Sequence, residues 1–382
     1  MIDSVRLANF KAFKDVSVQF RALTLLSGLN GVGKSSVIQS LLLLRQSHQS
    51  GDLTYGRMTL NGPLVEIGTA SDLLFVDANS DEICVGLTFQ GAESAFIFSI
   101  VPDESSRDES VYQLTPHENN EVSATHLHGT PLLGTQGSFQ YLCAERFGPR
   151  KSMPMSDNNV AVYDLGKHGE FTLHFLSRYG KSLLLDSDNA RFAQGVPARL
   201  IDQVDHWLQE ISPGAHLELQ ELRAADLMIS GFAFDRPKDA QTRAFRATNV
   251  GFGLSYALPV LTALLAAQPG ALLVIENPEA HMHPRGQTRL GQLCARAAAD
   301  GCQVIVETHS DHVMDGARLE VRSGKLRPKD ATFHYFERKK GIVRVVTPLL
   351  DHEGRLSEWP DGFFDEHRHN TAALIRPRSH HG

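Results

Sequence analysis

The run Gly28-Leu29-Asn30-Gly31-Val32-Gly33-Lys34-Ser35 carries the sharpest chemistry in the chain. It reads G-x-x-x-x-G-K-S and stands between an apolar strand pattern and a helical one, the context a phosphate-cradling loop requires. Glycines let the backbone wrap a phosphate chain. The N–H groups of Asn30, Gly31, Val32, Gly33, Lys34, Ser35 and Ser36, at the mouth of a helix, supply partial positive charge. Lys34 is placed to neutralise β- and γ-phosphates, and the Ser35 hydroxyl to hold Mg2+. The cofactors this predicts are ATP and Mg2+.

Hydrolysis needs a second site that organises magnesium and water. Leu272-Leu273-Val274-Ile275 is an apolar strand ending in Glu276-Asn277-Pro278-Glu279. A strand that delivers a carboxylate at its C-terminal end is the Walker B arrangement, and open α/β sheets bind ligands at that end. Glu276 is therefore paired with Ser35 as the metal set. His309 follows a second apolar strand, residues 304–306, and precedes Ser310 and Asp311. That order places it beside the Walker B strand in a parallel sheet.

These groups need elements to hold them. The first 27 residues read as strands: Val5, Leu7 and Phe10 alternate with polar residues, as do Val16, Val18 and Phe20. After the glycine-rich loop, Val37, Ile38, Leu41, Leu42 and Leu44 keep helical spacing. Residues 50–140 read as short strands with turns, and the polar stretch 103–130 as a surface loop. A helix is expected over 196–211, with strands at 215–222 and 226–234. The last third alternates helix and strand: a helix over 254–267 broken early by Pro259, then a strand at 271–275. A helix over 285–299 and strands at 303–307, 332–337 and 343–348 follow. Strands separated by helices indicate a parallel sheet with crossovers.

The 382 residues have 42% apolar and 21% charged side chains, enough for a large core without staples. Lys and Arg number 37 against 44 Asp and Glu, a net charge of −7, which excludes a general polyanion coat but not a local basic groove. No apolar run is long enough to span a bilayer, and the first residues lack the apolar core of a secretion signal. Cys84, Cys143, Cys294 and Cys302 are scattered without a CxxC, which fits a reducing cytoplasm.

The motifs together resemble the SMC, RecF and OLD branch of ABC ATPases. Val5-Arg-Leu-Ala-Asn-Phe10-Lys-Ala-Phe13 resembles the first strand of that branch, leading into G-x-N-G-x-G-K-S. Glu276-Asn-Pro-Glu-Ala-His281-Met-His283-Pro284 resembles the OLD-like stretch after Walker B. Val306-Glu-Thr-His309-Ser310 resembles the switch-histidine strand, and Asn249-Val-Gly251-Phe-Gly253-Leu-Ser255 the ABC signature. With Ala144-Glu145-Arg146-x-Gly148-Pro149-Arg150, the set is similar to a group of bacterial predicted ATPases without a Toprim nuclease domain or a coiled-coil arm.

The resemblance implies an α/β fold: an ABC-type P-loop head with a split parallel core sheet, an antiparallel β layer and an inserted helical lobe. Residues 1–60 and 246–382 would form the head, and residues 61–245 the inserted lobe. It implies Glu276 as the magnesium acid and His309 as the switch. Gly253 and Ser255 would be the signature contacting ATP on another subunit, hence an ATP-sandwiched homodimer or higher oligomer. Asn277 stands where many relatives carry a water-polarising glutamate. Glu279, two residues on, is the alternative, and slow hydrolysis is the expectation.

Three functions compete. The first is a cytoplasmic ATP-driven switch that controls a separate effector protein, such as a nuclease, in anti-phage defence. The second is a RecF-like repair ATPase that binds DNA directly, for which Arg236–Arg246 and Arg318–Lys329 offer basic clusters and nucleic-acid contact. The third is a self-contained nuclease using Asp186 and Asp188, a spacing better read as a solvated turn. His367, His369 and Asn370 resemble an HNH nuclease only superficially, and His380 and His381 read as tail composition. His281 and His283 read as an interface loop.

Overall fold

The computed structural model describes residues 1–102, 112–127, 129–135, 137–237, 240–360, 362–364, 370–371 and 374–375. The chain opens with β1 (Ile2–Phe10), β2 (Phe13–Gln19) and β3 (Leu23–Gly28), then α1 (Lys34–Gln49). β4 (Glu82–Phe89), β5 (Ala92–Pro102), β6 (Tyr112–Pro116), α2 (Asn120–His126) and β7 (Phe139–Leu142) follow. Next come β8 (Met153–Pro154), α3 (Asp157–Ala161), α4 (Thr172–Tyr179), α5 (Leu200–Ile211), β9 (Ala215–Leu222), β10 (Leu227–Arg236), β11 (Ala240–Gln241) and β12 (Phe245–Arg246). The last third holds α6 (Phe252–Ala266), β13 (Leu272–Glu276), α7 (Pro284–Ala299), β14 (Gln303–Glu307), α8 (Asp311–Arg322), β15 (Ala331–Lys339) and β16 (Ile342–Val346).

The core sheet has the order β16-β15-β3-β14-β13-β7. β15, β3, β14, β13 and β7 run parallel, and β16 returns antiparallel at the edge. Both faces are covered, so its strands read as continuous apolar runs. Leu272 and Val274 face one core with Ile305 and Leu26, while Leu273 and Ile275 face the other with Val304 and Val306. A second, antiparallel sheet has the order β2-β1-β4-β5-β6. α1 lies between the two sheets, which is why Val37, Ile38 and Leu41 to Leu44 are all buried rather than striped. Truncating one such leucine to alanine costs about 2–5 kcal/mol.

A third set of strands, centred on β10 with β8, β9, β11 and β12, packs beside α4 and α5. Arg191, 2% exposed, anchors this lobe: its Nε donates to Asp300 Oδ2 at 2.8 Å and its Nη1 to Ala267 O at 2.9 Å.

The expected fold class holds, with four corrections. The polar stretch 103–130 contributes β6 and α2; part of it, 103–111 and 128, lies outside the described residues. Its polarity conceals buried Asn120, whose amide bonds both Ile97 N–H and Ile97 O and so replaces a missing strand. α6 continues through Pro259 without a break; the proline costs one bond to Ser255 O but its ring packs against Gly169. The helix expected over 196–211 begins only at Leu200. Residues 61–245 are not one inserted lobe either. They give β4–β6 to the sheet begun by β1 and β7 to the core sheet, because an unpaired strand edge is satisfied best by the nearest partner.

Candidate functional site

The turn after β3 is built on two glycines. Gly28 has φ +135°, and a Cβ there would stand 2.2 Å from Phe336 O on β15. Gly33, with φ +97°, precedes α1, and a Cβ there would meet the Phe13 ring at 2.4 Å. Val32 and Ser36 are buried, whereas Asn30, Gly31 and Ser35 are exposed at the loop's outer face. Lys34, 3% exposed, donates from Nζ to Gly28 O at 3.0 Å and Leu29 O at 2.8 Å. Burial pushes its ammonium pKa down, opposed by Glu307 3.6 Å away.

Strand order decides the metal side of the site. β14 lies between β3 and β13, so Ser35 meets an acid that sequence reading missed: its Oγ is 3.4 Å from Glu307 Oε2. Ser35 and Glu276, the expected metal set, do not meet directly, because the strand carrying Glu307 lies between them. Glu276 stands one strand further out, in register with Glu307. Its carboxylate accepts from Tyr141 Oη at 3.1 Å and from Ala144 N–H at 3.4 Å. A signal for Glu307 was present, since it too ends an apolar strand.

The two acids perturb each other. Burial first, and then the Glu276 charge, push the Glu307 carboxyl up to about 7, with Lys34 and Ser35 pulling the other way. Burial also raises Glu276. Among the described residues no cluster of three or more His, Cys, Asp or Glu side chains is placed to hold a metal. Mg2+ takes one or two carboxylates plus substrate phosphates, so the oxygen set Ser35, Glu307 and Glu276 fits it. A buried and a half-buried carboxylate beside one lysine also leave negative charge that a divalent cation would offset.

Backbone bonds from the residues beyond the acids hold the turn. Asn277 has φ +43° and donates its N–H to Glu307 O at 2.8 Å. Glu279, the alternative to Asn277 at the attacking water, is buried, and its Oε1 accepts from the His309 N–H at 2.8 Å, fixing the backbone there. Burial raises its carboxyl, and Oε2 is buried without a hydrogen-bond partner. The His309 ring is exposed; partial burial and the Lys34 charge lower its pKa, leaving it neutral at pH 7 and able to accept a hydrogen bond. Ser310 caps α8 by accepting from Val313 N–H.

The signature-like residues sit elsewhere. α6 has no side-chain cap, and Gly251 and Phe252 at its start are exposed. A Cβ on Gly253 would meet His281 O at 2.7 Å, so the first turn of α6 rests on the loop after β13. Ser255 lines a small cavity with Gly148 and Pro259. His283 caps α7, and His281 meets Tyr256 edge-on, so the two histidines do not converge on a metal. Asp186 accepts from Asp188 N–H in an exposed turn. His367, His369, His380 and His381 lie outside the described residues. A 550 Å³ cleft between α1 and β7, lined by Arg45, Phe139 and Lys167, lies apart from the phosphate loop.

Residues 1–123 match the family model "AAA ATPase domain", and residues 166–315 match "AAA domain, putative AbiEii toxin, Type IV TA system". Residues 326–374 match "Protein of unknown function (DUF3696)". An SMC head domain from Pyrococcus furiosus, solved with an extended coiled coil and bound to the C-terminal domain of ScpA, shares the fold. It has a TM-score of 0.52 at 12% identity, over 98% of this chain and 99% of that one. The chain thus carries ATPase-domain matches on a fold shared with an SMC head domain. The SMC head of Thermotoga maritima is also similar, with a TM-score of 0.43 at 14% identity over 90% of this chain and 98% of that one. No curated protein matches the sequence. Among the described residues no helix is long and apolar enough to cross a membrane.

Proposed function

We propose that this SMC-like ATPase is a cytoplasmic switch. Two copies would close head-to-tail around Mg·ATP, hydrolyse it slowly, and in closing reshape a surface read by a separate effector protein such as a nuclease. The observation that carries the reading is the convergence of Lys34, Ser35, Glu307 and Glu276 at the C-terminal ends of β3, β14 and β13. The loop N–H groups would bind the phosphates, and Lys34 would exchange its carbonyl partners for phosphate oxygens. Bound Mg2+ supplies charge neutralisation at the β- and γ-phosphates. Glu276, held by Tyr141 and Ala144, and Glu307, facing Ser35, would keep the metal oriented. Neutral His309, positioned by Glu279, would accept a hydrogen bond from the attacking water, and Asn277 would orient it. None of these groups is a strong base at the water, which fits slow turnover.

The seating of Gly253 on the loop after β13, and not on the phosphate loop, supports a role for Gly253 and Ser255 toward the ATP of a second copy. The match of residues 166–315 to a model described by a toxin of a type IV TA system supports a place in bacterial anti-phage defence. The basic stretch at residues 318–329 favours a protein partner over DNA. Arg318 pairs with Asp315, Lys325 with Glu320 and Arg327 with Asp330, which leaves little spare charge for phosphates.

The test is mass in solution by light scattering with and without Mg·ATP, for wild type, Lys34→Ala and Ser255→Arg. Wild type doubles its mass with ATP; Lys34→Ala neither binds nor doubles; Ser255→Arg binds ATP and stays single. A wild-type protein that binds Mg·ATP at single mass under every condition sinks the switch. Copurification with the products of neighbouring genes then identifies the effector.

A further inference from the structure

Arg146 is the buried charge that the proposed chemistry leaves unused. It lies four residues past the end of β7 and is 2% exposed. Its Nη1 donates to Cys143 O at 2.8 Å and Glu276 O at 2.6 Å, and its Nη2 to Asn277 O at 2.6 Å. The guanidinium therefore grips the main chain of the magnesium acid and of the left-handed residue that follows it. Its other side faces α6: the cation sits 5.6 Å from the centre of the Tyr256 ring, one residue past Ser255. Tyr256 meets His281 edge-on at 4.7 Å, and a Cβ on Gly148 would stand 3.2 Å from the Tyr256 ring. Arg146 Nε is buried without a partner, a cost of about 1–3 kcal/mol that a site tuned only for stability would shed.

We propose that Arg146 is a positioning residue that couples the seating of the signature helix to the Glu276–Asn277 turn, so that occupation of the α6 N-terminus sets the magnesium acid. The inference rests on the reading of Glu276 as a metal ligand and of Gly253 and Ser255 as the signature. The first turns of α6 are tied to the loop after β13 by two contacts. Gly253 is seated on His281 O and Tyr256 on both His281 and Arg146. A displacement of α6 reaches Glu276 through a planar group held by two 2.6 Å bonds. A lysine in place of Arg146 cannot bridge three carbonyls in one plane.

The experiment uses the full chain and the variants Arg146→Lys, Tyr256→Leu, their double, and Tyr256→Phe. Mn2+ binding to ATP-loaded protein is followed by electron paramagnetic resonance, and ATP affinity is measured separately in EDTA. Arg146→Lys is expected to weaken Mn2+ binding about tenfold, the scale of an outer-shell loss, with metal-free ATP affinity within about threefold. Tyr256→Leu weakens Mn2+ in the same direction, and Tyr256→Phe, which keeps the ring, restores it. The double variant is no worse than Arg146→Lys alone, since both act through one link. Additive losses, or Mn2+ binding unchanged in the folded single variants, overturn the coupling. Should Arg146→Lys fail to fold, Tyr256→Leu binding Mn2+ as tightly as Tyr256→Phe overturns it alone. Wild type that binds ATP yet takes no Mn2+ refutes the metal reading of Glu276 itself, a different failure from the loss of coupling.

Discussion

Replacing Glu307 by glutamine separates stability from function at this site. The carboxyl is pushed up to about 7 from an ordinary 4.5, chiefly by burial and then by Glu276. An acid raised on folding adds stability below its unfolded pKa, and that stability is lost as pH rises through its folded pKa. At pH 8 the metal-free wild type therefore carries a penalty of about 3 kcal/mol from this one group, and at pH 5.5 about 1 kcal/mol. Glutamine is isosteric and removes the charge. The metal-free variant should melt higher than wild type at pH 8, by a few degrees, with the gap narrowing toward pH 5.5. Mg·ATP should reverse the order, because wild type gains a ligand for the cation and the variant does not. The assay is thermal unfolding at pH 5.5 and 8, with EDTA or with Mg·ATP. A variant less stable than wild type in EDTA at pH 8, or one stabilised by Mg·ATP as much as wild type, would refute the argument that Glu307 is a strained ligand.

Other outcomes follow from single contacts. His334 is buried on β15, and its pKa is pushed down to about 4 by burial, against a bond to Gln19 O. A lowered histidine pKa means stability present above the unfolded value and lost as pH falls, about 2 kcal/mol between pH 7 and 5. Denaturant midpoints of His334→Gln should lack that acid slope. Gly28→Ala forces a side chain into a left-handed residue against Phe336 O; it should lower the melting temperature and abolish ATP binding in a filter assay. Glu279→Gln keeps an acceptor for the His309 N–H and should hold turnover within about threefold, whereas Glu279→Ala orphans that N–H and should lower steady-state turnover about tenfold.

Legibility in the sequence followed the range of the interactions. The phosphate loop was plain because its function needs only neighbours in the chain: glycines for left-handed turns, a lysine and a serine at the mouth of α1. β13, β14 and α7 were plain because burial on both faces or on one writes apolar runs and 3.6-residue spacing directly into composition. Asn120 misled, since a buried amide that completes a strand edge looks like any loop asparagine. Pro259 misled because the missing bond is tolerated where the ring fills a gap against Gly169.

By itself the sequence determined an α/β nucleotide-binding class, the phosphate loop and one acid, Glu276, at the end of an apolar strand, since each is a local pattern with one chemical use. Which carboxylate meets Ser35 was decided only by tertiary structure. A one-strand displacement in sheet order puts Glu307 beside Ser35 and Glu276 behind it. Whether Glu279 faces water or the His309 amide, and whether Arg146 is a surface charge or a clamp, were decided there too. Those answers depend on residues from 30 to more than 250 positions apart meeting at the end of a sheet. Spacing along a chain encodes periodicity but not the lateral order of parallel strands joined by long crossovers.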